Sequence, residues 1–285
     1  MSEAALLKPK DYKNDVEPIW CPGCGDYGDL ASFTQALAAM QLDPRELCIV
    51  SGIGCSGRFS HFIKSYALHT AHGRAIPTAI GVKASNPKLK VFVVGGDGDG
   101  LSIGGGHLPH AARRNPDLTY LILDNAIYGL TKGQSSPTSP FGMVTPTSPT
   151  GLEDPPLDPL RMFLSYGVSF VARGFSSDVK GTAKMVQAAA EHRGFAILLL
   201  ISPCPTFNQI ITFDFMKERV VPIPESHDPS NLEAAFRLAL DQDHYYTGVF
   251  YKNASLPTME DKLDAQRRAT MDRQPRTLEA LIGQY

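Results

Sequence analysis

Two stretches decide the fold of this chain. The first is Lys90-Val91-Phe92-Val93-Val94-Gly95-Gly96-Asp97-Gly98-Asp99-Gly100, and the second is Leu118-Thr119-Tyr120-Leu121-Ile122-Leu123-Asp124-Asn125. Each begins as a continuous apolar run of strand length and stops at glycines, an aspartate or an asparagine. A strand apolar at every position is one covered on both faces, which is the signature of a parallel sheet. Working outward, the same kind of run recurs at 47–51, 168–172 and 195–202. Helix-like stretches lie between the runs, at 30–40, 106–114, 159–166 and 178–192. The last carries Val179, Ala183, Val186 and Ala190 at spacings of three and four, one apolar face of a helix. The pattern predicts an α/β fold, a parallel sheet flanked by helices, over residues 1–212.

The alternation fails in two places. Residues 135–159 are crowded with Pro, Ser and Thr and form a loop too long for an ordinary connection, which marks it as functional or unstructured. After Thr212 the strand rhythm is lost, and helices are expected at 231–240, 259–271 and 276–282. Residues 213–285 are therefore expected to be a helical C-terminal extension, packed on the main domain or on a partner.

Composition removes several classes of function. With 285 residues the chain is one large domain or two small ones and buries an ample core. Its 27 Lys+Arg against 29 Asp+Glu give a net charge of −2, so no basic face for nucleic acid is expected. The longest apolar runs fall well short of the roughly 20 residues that span a bilayer. Residues 1–16 mix charges without an apolar core, so a secretory leader is not expected and the chain reads as cytoplasmic.

In an open α/β sheet, ligands bind beyond the carboxyl ends of the strands. Asp97 and Asn125 end two consecutive strand candidates, 28 positions apart. A hard dication such as Mg²⁺ takes oxygen ligands, typically a few from protein and the rest from phosphate and water. Asp97 offers a charged oxygen and Asn125 a neutral one. The glycines around Asp97 let backbone N–H groups approach a diphosphate.

Four of the five cysteines stand in loop-like contexts: Cys21-Pro22-Gly23-Cys24, Gly54-Cys55-Ser56 and Pro203-Cys204-Pro205. Cys48, inside an apolar run, reads as a small core residue. Without a secretory signal these are thiols rather than disulfides. Cys21, Cys24, Cys55 and Cys204 could hold tetrahedral zinc or a [4Fe–4S] cluster, and their spacing favours neither.

The ordered set of motifs resembles a known family. Gly96-Asp97-Gly98-Asp99-Gly100, followed by Leu123-Asp124-Asn125-Ala126-Ile127-Tyr128-Gly129-Leu130-Thr131-Lys132-Gly133-Gln134, resembles the diphosphate-binding motif of thiamine-diphosphate enzymes, and in particular the β subunit of 2-oxoacid:ferredoxin oxidoreductases. Cys21-Pro22-Gly23-Cys24, Ile53-Gly54-Cys55-Ser56 and His72-Gly73-Arg74-Ala75 belong to the same pattern, which runs from about Trp20 to Thr212. The resemblance implies thiamine diphosphate as cofactor, with Mg²⁺ held by Asp97, Asn125 and the backbone carbonyl of Ile127. It implies cofactor contacts from Ile53, Gly54, Cys55, Ser56, His72, Gly98, Asp99, Gly129 and Leu130. It also decides the metal question for [4Fe–4S], and Cys55 would set the cluster beside the cofactor.

The implied reaction is oxidative decarboxylation of a 2-oxoacid with coenzyme A, giving acyl-CoA and CO₂ and reducing ferredoxin. Arg58 and Lys132 each follow a predicted cofactor loop and are the candidates for pairing with substrate carboxylates. A Lys at 132 resembles 2-oxoglutarate-type or broad 2-oxoacid enzymes, which makes 2-oxoglutarate, and hence succinyl-CoA, the first choice. The family supplies the glutamate that activates the cofactor from another polypeptide or domain. The resemblance thus implies an α subunit, or a fused γ/α subunit, completing the site in a dimer of heterodimers. His107 and His110 read as surface or core residues, and His61 and His69, eight apart on an expected helix, lack the spacing of a paired metal site. The rival readings are a non-redox thiamine-dependent decarboxylase subunit and a zinc-stabilised binding module.

Overall fold

The computed structural model describes residues 6–241, 243–271, 277–278 and 282–283. Among the described residues there are eight strands: β1 (Leu47–Ser51), β2 (Tyr66–His69), β3 (Lys90–Gly96), β4 (Leu118–Asp124), β5 (Phe170–Phe175), β6 (Phe195–Ile201), β7 (Val220–Pro222) and β8 (Tyr245–Lys252). They form one sheet in the order β2-β1-β3-β4-β6-β5-β8-β7. All pairings are parallel except β5 with β8.

The helices are α1 (Asp26–Met40), α2 (Ala75–Ser85), α3 (Leu108–Arg114), α4 (Pro159–Ser165), α5 (Val179–Glu191), α6 (Phe213–Lys217), α7 (Leu232–Leu240) and α8 (Met259–Thr270). Successive side chains of a strand point to opposite faces, and the central strands are apolar at nearly every position. Val91, Val93, Ile122, Ile197 and Leu199 therefore face one core, shared with α2, α3, α4 and α7. Phe92, Val94, Leu121, Leu123, Leu198 and Leu200 face the other, shared with α1 and α5. Each such side chain contributes on the order of 1.5–3 kcal/mol when buried, so two-sided burial holds the central strands in place.

Helix α5 begins where the Asp178 carboxylate accepts from the Gly181 N–H at 2.9 Å, a side-chain cap of the first turn. Helix α1 ends where Gln41 turns left-handed, with φ 51°. Among the described residues no helix is long and apolar enough to cross a membrane.

The extension differs from expectation. Beyond Thr212 it is not purely helical, because β8 joins the main sheet antiparallel to β5 and carries β7 on its outer side. The run Tyr245-Tyr246-Thr247-Gly248-Val249-Phe250-Tyr251 is aromatic and β-branched, which is strand chemistry. Helices α7 and α8 occupy the first two helical windows expected there. The third, 276–282, falls mostly outside the described residues, as do residues 1–5 of the leader reading. Helix α6 lies outside the helical windows expected in the extension, and β2 and α2 lie outside the elements expected in the main domain. His61 and His69 are not on a helix: His61 lies in a 3₁₀ turn and His69 ends β2, their rings 4.9 Å apart.

Phe250 is fully buried in the core that α4 and α7 share. Phe250→Ala is expected to cost about 3–5 kcal/mol, read as a lowered denaturation midpoint. A loss under about 1 kcal/mol would show that β8 merely rests on the domain.

Candidate functional site

Parallel pairing brings the carboxyl ends of β1, β3, β4 and β6 to one edge of the fold. Ser51 pairs with Val94, Gly96 with Leu123, and Asp124 with Ile201, so these strands end nearly level. The loops that leave them carry Ile53 to Ser56, Asp97 to Gly100, Asn125 to Gln134, and Cys204. A cavity of about 360 Å³ opens there, within the range of small-ligand sites. Ile53, Gly54, Cys55, Ser56, His72, Asp97, Gly98, Asp99, Asn125, Ile127, Gly129 and Leu130 all line it, together with Gly96, Tyr128, Thr131 and Gln134. Arg58 and Lys132 do not line it. Arg58 is half-buried in the turn after Cys55, close enough to favour its thiolate. Lys132 is exposed, with φ 75°.

Asp97 is 1% exposed. Its Oδ2 accepts from the Thr138 hydroxyl at 2.8 Å, and the same hydroxyl lies 2.8 Å from Asp124 Oδ1. Burial raises the pKa of both acids; that of Asp124 reaches about 7, through desolvation first and the Asp97 charge second. Asn125 is fixed by its neighbours: its Oδ1 accepts from the Ile127 N–H at 3.0 Å, and its backbone carbonyl accepts from Asn208 Nδ2 at 2.9 Å. No described group donates to the Ile127 carbonyl. One carboxylate, one amide and one carbonyl thus border a single cavity, which suits an oxygen-seeking dication.

Asp99 does different work from Asp97. Its Oδ1 accepts from the N–H groups of Ile53 (2.9 Å) and Gly73 (2.8 Å) and stands 2.8 Å from His72 Nδ1. One buried carboxylate therefore ties the loops after β1 and β2 to the turn after β3. At Gly98 a Cβ would meet the Tyr128 ring at 2.3 Å. The Tyr128 hydroxyl donates to the Gly98 carbonyl at 3.0 Å, so ring and backbone lie in contact and only glycine fits.

The cysteines gather at the same edge. A Cβ at Gly129 would lie 3.6 Å from the Cys55 Sγ and 3.8 Å from the Cys204 Sγ. Strands β1 and β6 are three positions apart, about 14 Å at a strand spacing of roughly 4.8 Å, so it is the loops that fold inward. The Cys21–Cys24 turn is stitched to both: Trp20 Nε1 donates to the Cys55 carbonyl at 2.7 Å, and the Gly25 N–H donates to the Pro203 carbonyl at 3.1 Å. Cys24, Cys55 and Cys204 each feel the charge of at least one other thiol. Burial, the Asp26 charge and the neighbouring thiolates push Cys24 well above the usual thiol range, and burial chiefly lifts Cys55 to about 11. Cys204 is raised mainly by burial. Cys48 lies apart, buried in β1.

Among the described residues, no three His, Cys, Asp or Glu side chains close on a point as ligands of one ion would. The oxygen set contains only one acid. The Cys55 and Cys204 sulfurs flank Gly129, and the Cys21–Cys24 turn is tied to the backbone of both loops.

Sequence reasoning missed Thr138, which belongs to the long Pro-Ser-Thr loop. That loop is ordered by polar contacts, among them Ser139 Oγ donating to the Ala126 carbonyl at 2.7 Å. Its length was the available signal. Asn208 and Trp20 gave none, because their contacts are made across the fold.

Comparison with known proteins agrees with this geometry. Residues 52–199 match the thiamine pyrophosphate enzyme, C-terminal TPP binding domain, and residues 204–268 match the C-terminal family of the pyruvate ferredoxin oxidoreductase beta subunit. The chain is 40% identical to the 2-oxoacid:ferredoxin oxidoreductase subunit beta of Saccharolobus solfataricus, over 90% of this chain and 88% of that one. It is 44% identical to the 2-oxoglutarate oxidoreductase subunit KorB of Mycobacterium tuberculosis, over 76% of this chain and 59% of the relative. A solved 2-oxoglutarate:ferredoxin oxidoreductase from Magnetococcus marinus, with 2-oxoglutarate, coenzyme A and succinyl-CoA bound, superimposes with a TM-score of 0.94 at 45% identity. The match covers 99% of this chain and 97% of that one. The chain belongs to the β-subunit family of 2-oxoacid:ferredoxin oxidoreductases, and is an enzyme subunit built on their thiamine-pyrophosphate-binding fold.

Proposed function

We propose that the chain carries thiamine diphosphate, Mg²⁺ and a [4Fe–4S] cluster, and converts 2-oxoglutarate, coenzyme A and oxidised ferredoxin to succinyl-CoA, CO₂ and reduced ferredoxin. The observation that carries this reading is Gly129, which lines the cofactor-sized cavity and has the Cys55 and Cys204 sulfurs beside it. When bound, the thiamine supplies the carbanion chemistry of decarboxylation and the cluster a one-electron carrier.

The protein's part is to orient and to shield. Asp97, Asn125 and the Ile127 carbonyl hold the metal on the diphosphate. Thr138 pins the Asp97 carboxylate, and Asp99 locks the loops that supply Ile53 to Ser56 and His72. Cys21, Cys24, Cys55 and Cys204 ligate the cluster. Relatives named for 2-oxoglutarate support that substrate. Arg58 and Lys132 stand outside the cavity lining and are assigned to the substrate's carboxylates once a partner closes the cleft. That partner is an α subunit, or a fused γ/α subunit, in a dimer of heterodimers in the reducing cytoplasm. Residues 1–212 hold the site, and the described part of residues 213–285 extends the sheet beyond β5 and packs α7 and β8 onto its core.

Thr138→Val keeps the shape and removes a hydrogen bond to a charged group, worth about 1.5–3 kcal/mol. Mg²⁺-dependent thiamine diphosphate binding, measured by titration calorimetry, is expected to weaken about tenfold or more. Unchanged affinity would remove Asp97 from the metal.

Protein purified with its partner under anaerobic conditions is expected to be brown. Cys21→Ala, at an exposed thiol, is expected to lose about four iron and four acid-labile sulfide per β chain. Lys132→Ala is expected to lose kcat/KM preference for 2-oxoglutarate over pyruvate. Stoichiometric zinc in the wild type, with no iron lost on mutation, would overturn the redox reading; an unchanged preference would overturn the substrate assignment.

A further inference from the structure

A second cavity, of about 500 Å³, lies behind the first. Asp124 and Thr138 belong to its wall, so the Asp97–Thr138–Asp124 contact separates the two spaces. Its other walls come from the proline-rich segment at 155–159, the end of α7 and the start of β8. The lining is mostly apolar, with Leu160, Leu199, Ile211, Met216 and Leu238 among its members.

Arg173 is the feature that needs an explanation. It sits on β5 opposite Gly248 of β8 and lines the cavity. Its Nε donates to the Tyr246 carbonyl at 2.7 Å. The guanidinium carbon stands 5.2 Å from the centroid of the Tyr245 ring and 5.4 Å from that of Phe250, within cation–π range. One edge and the ring contacts fix the group, while its two terminal nitrogens donate to no atom of the described residues.

The nearby acids are already engaged. Asp158 pairs with Arg161 at 2.7 Å, and Asp241 with His244 at 3.0 Å. Asp124 accepts from the Ala126 N–H at 3.1 Å and faces Thr138 at 2.8 Å. Burial draws the Arg173 pKa down to about 10, which leaves it a cation at neutral pH.

We propose that this cavity is a binding site for an organic monocarboxylate, which Arg173 grips by its two terminal nitrogens. A guanidinium presents a planar fork that matches a carboxylate in bidentate geometry. The apolar walls suit a hydrocarbon body, and the volume lies within the roughly 300–1,000 Å³ of small-ligand sites. The wall carries three carboxyl groups, of Asp124, Asp158 and Asp241, against the guanidiniums of Arg161 and Arg173. Arg161 is taken by Asp158, so a phosphate dianion is a poor occupant, whereas a single negative charge is matched by Arg173.

The test uses the full chain with its partner subunit, with thiamine diphosphate and Mg²⁺ saturating so that the first cavity is filled. The probes are 4-bromobenzoate and its neutral isostere 4-bromobenzamide. Titration calorimetry is expected to give one acid bound per chain, at least tenfold more tightly than the amide, and at least tenfold more weakly in Arg173→Met. Crystals soaked in the acid are expected to show an anomalous bromine peak beside Arg173. Competition by 3-methyl-2-oxobutanoate would mean that the site takes 2-oxoacids. Competition by 3-methylbutanoate alone would mean carboxylates without the keto group. Equal binding of acid and amide, a peak elsewhere, or no peak would overturn the proposal. The probe map keeps the question answerable if Arg173→Met fails to fold. Because the readout is binding and not turnover, the result stands apart from the cofactor assignment.

Discussion

The parallel hydrogen-bond ladder through β1, β3, β4 and β6 is the constraint on which the rest depends. Parallel strands must end on the same side, and their register here leaves Ser51, Gly96 and Asp124 within a residue or two of one level. At about 3.3 Å per residue, a shift of two positions would carry Asp97 or Asn125 more than 6 Å from the other. Two-sided burial of the strands makes such a shift costly, since a one-residue slip would exchange the faces of Phe92, Val93 and Val94 between two packed cores. The apolar interior thereby sets the positions of polar groups that touch none of it.

At the open end, buried carboxylates play two separate parts. Asp99 is spent internally on the N–H groups of Ile53 and Gly73 and on His72. Asp97 keeps a place on the cavity, steadied by Thr138. Buried charge is tolerated only where hydrogen bonds replace water, and the loop at 135–159 supplies several of them. The thiols obey a related constraint. Their turn is tied down by the Trp20 indole N–H and the Gly25 backbone N–H rather than by the sulfurs themselves. The fold itself brings these loops together.

Much of this was legible in the sequence, and the omissions have physical causes. The five buried strands announced themselves by unbroken apolar runs, and Asp97 and Asn125 by standing where two of those runs stop. Strand β2 was missed because all four of its residues are exposed and it has no run to show. Helix α2 was missed because Pro77 and Gly81 interrupt its pattern, although a proline in the first turn is compatible with a helix. Strand β8 was passed over because Gly248 and a register irregularity near Ala172 obscure its alternation. Thr138 and Arg173 act through partners distant in sequence, Asp97 and Tyr246. Such pairings follow from the folded topology and leave no local mark.

The central proposal is spatial: the cleft assigned to thiamine diphosphate and Mg²⁺ and the four thiols share one end of one sheet. Anomalous diffraction at the iron absorption edge, from anaerobic crystals of the complex with thiamine diphosphate and Mg²⁺, tests it most directly. The account predicts a compact iron peak enclosed by Cys21, Cys24, Cys55 and Cys204, next to Gly129 and alongside the diphosphate density. A zinc-edge peak in that place, or iron found only in the partner subunit, would contradict it.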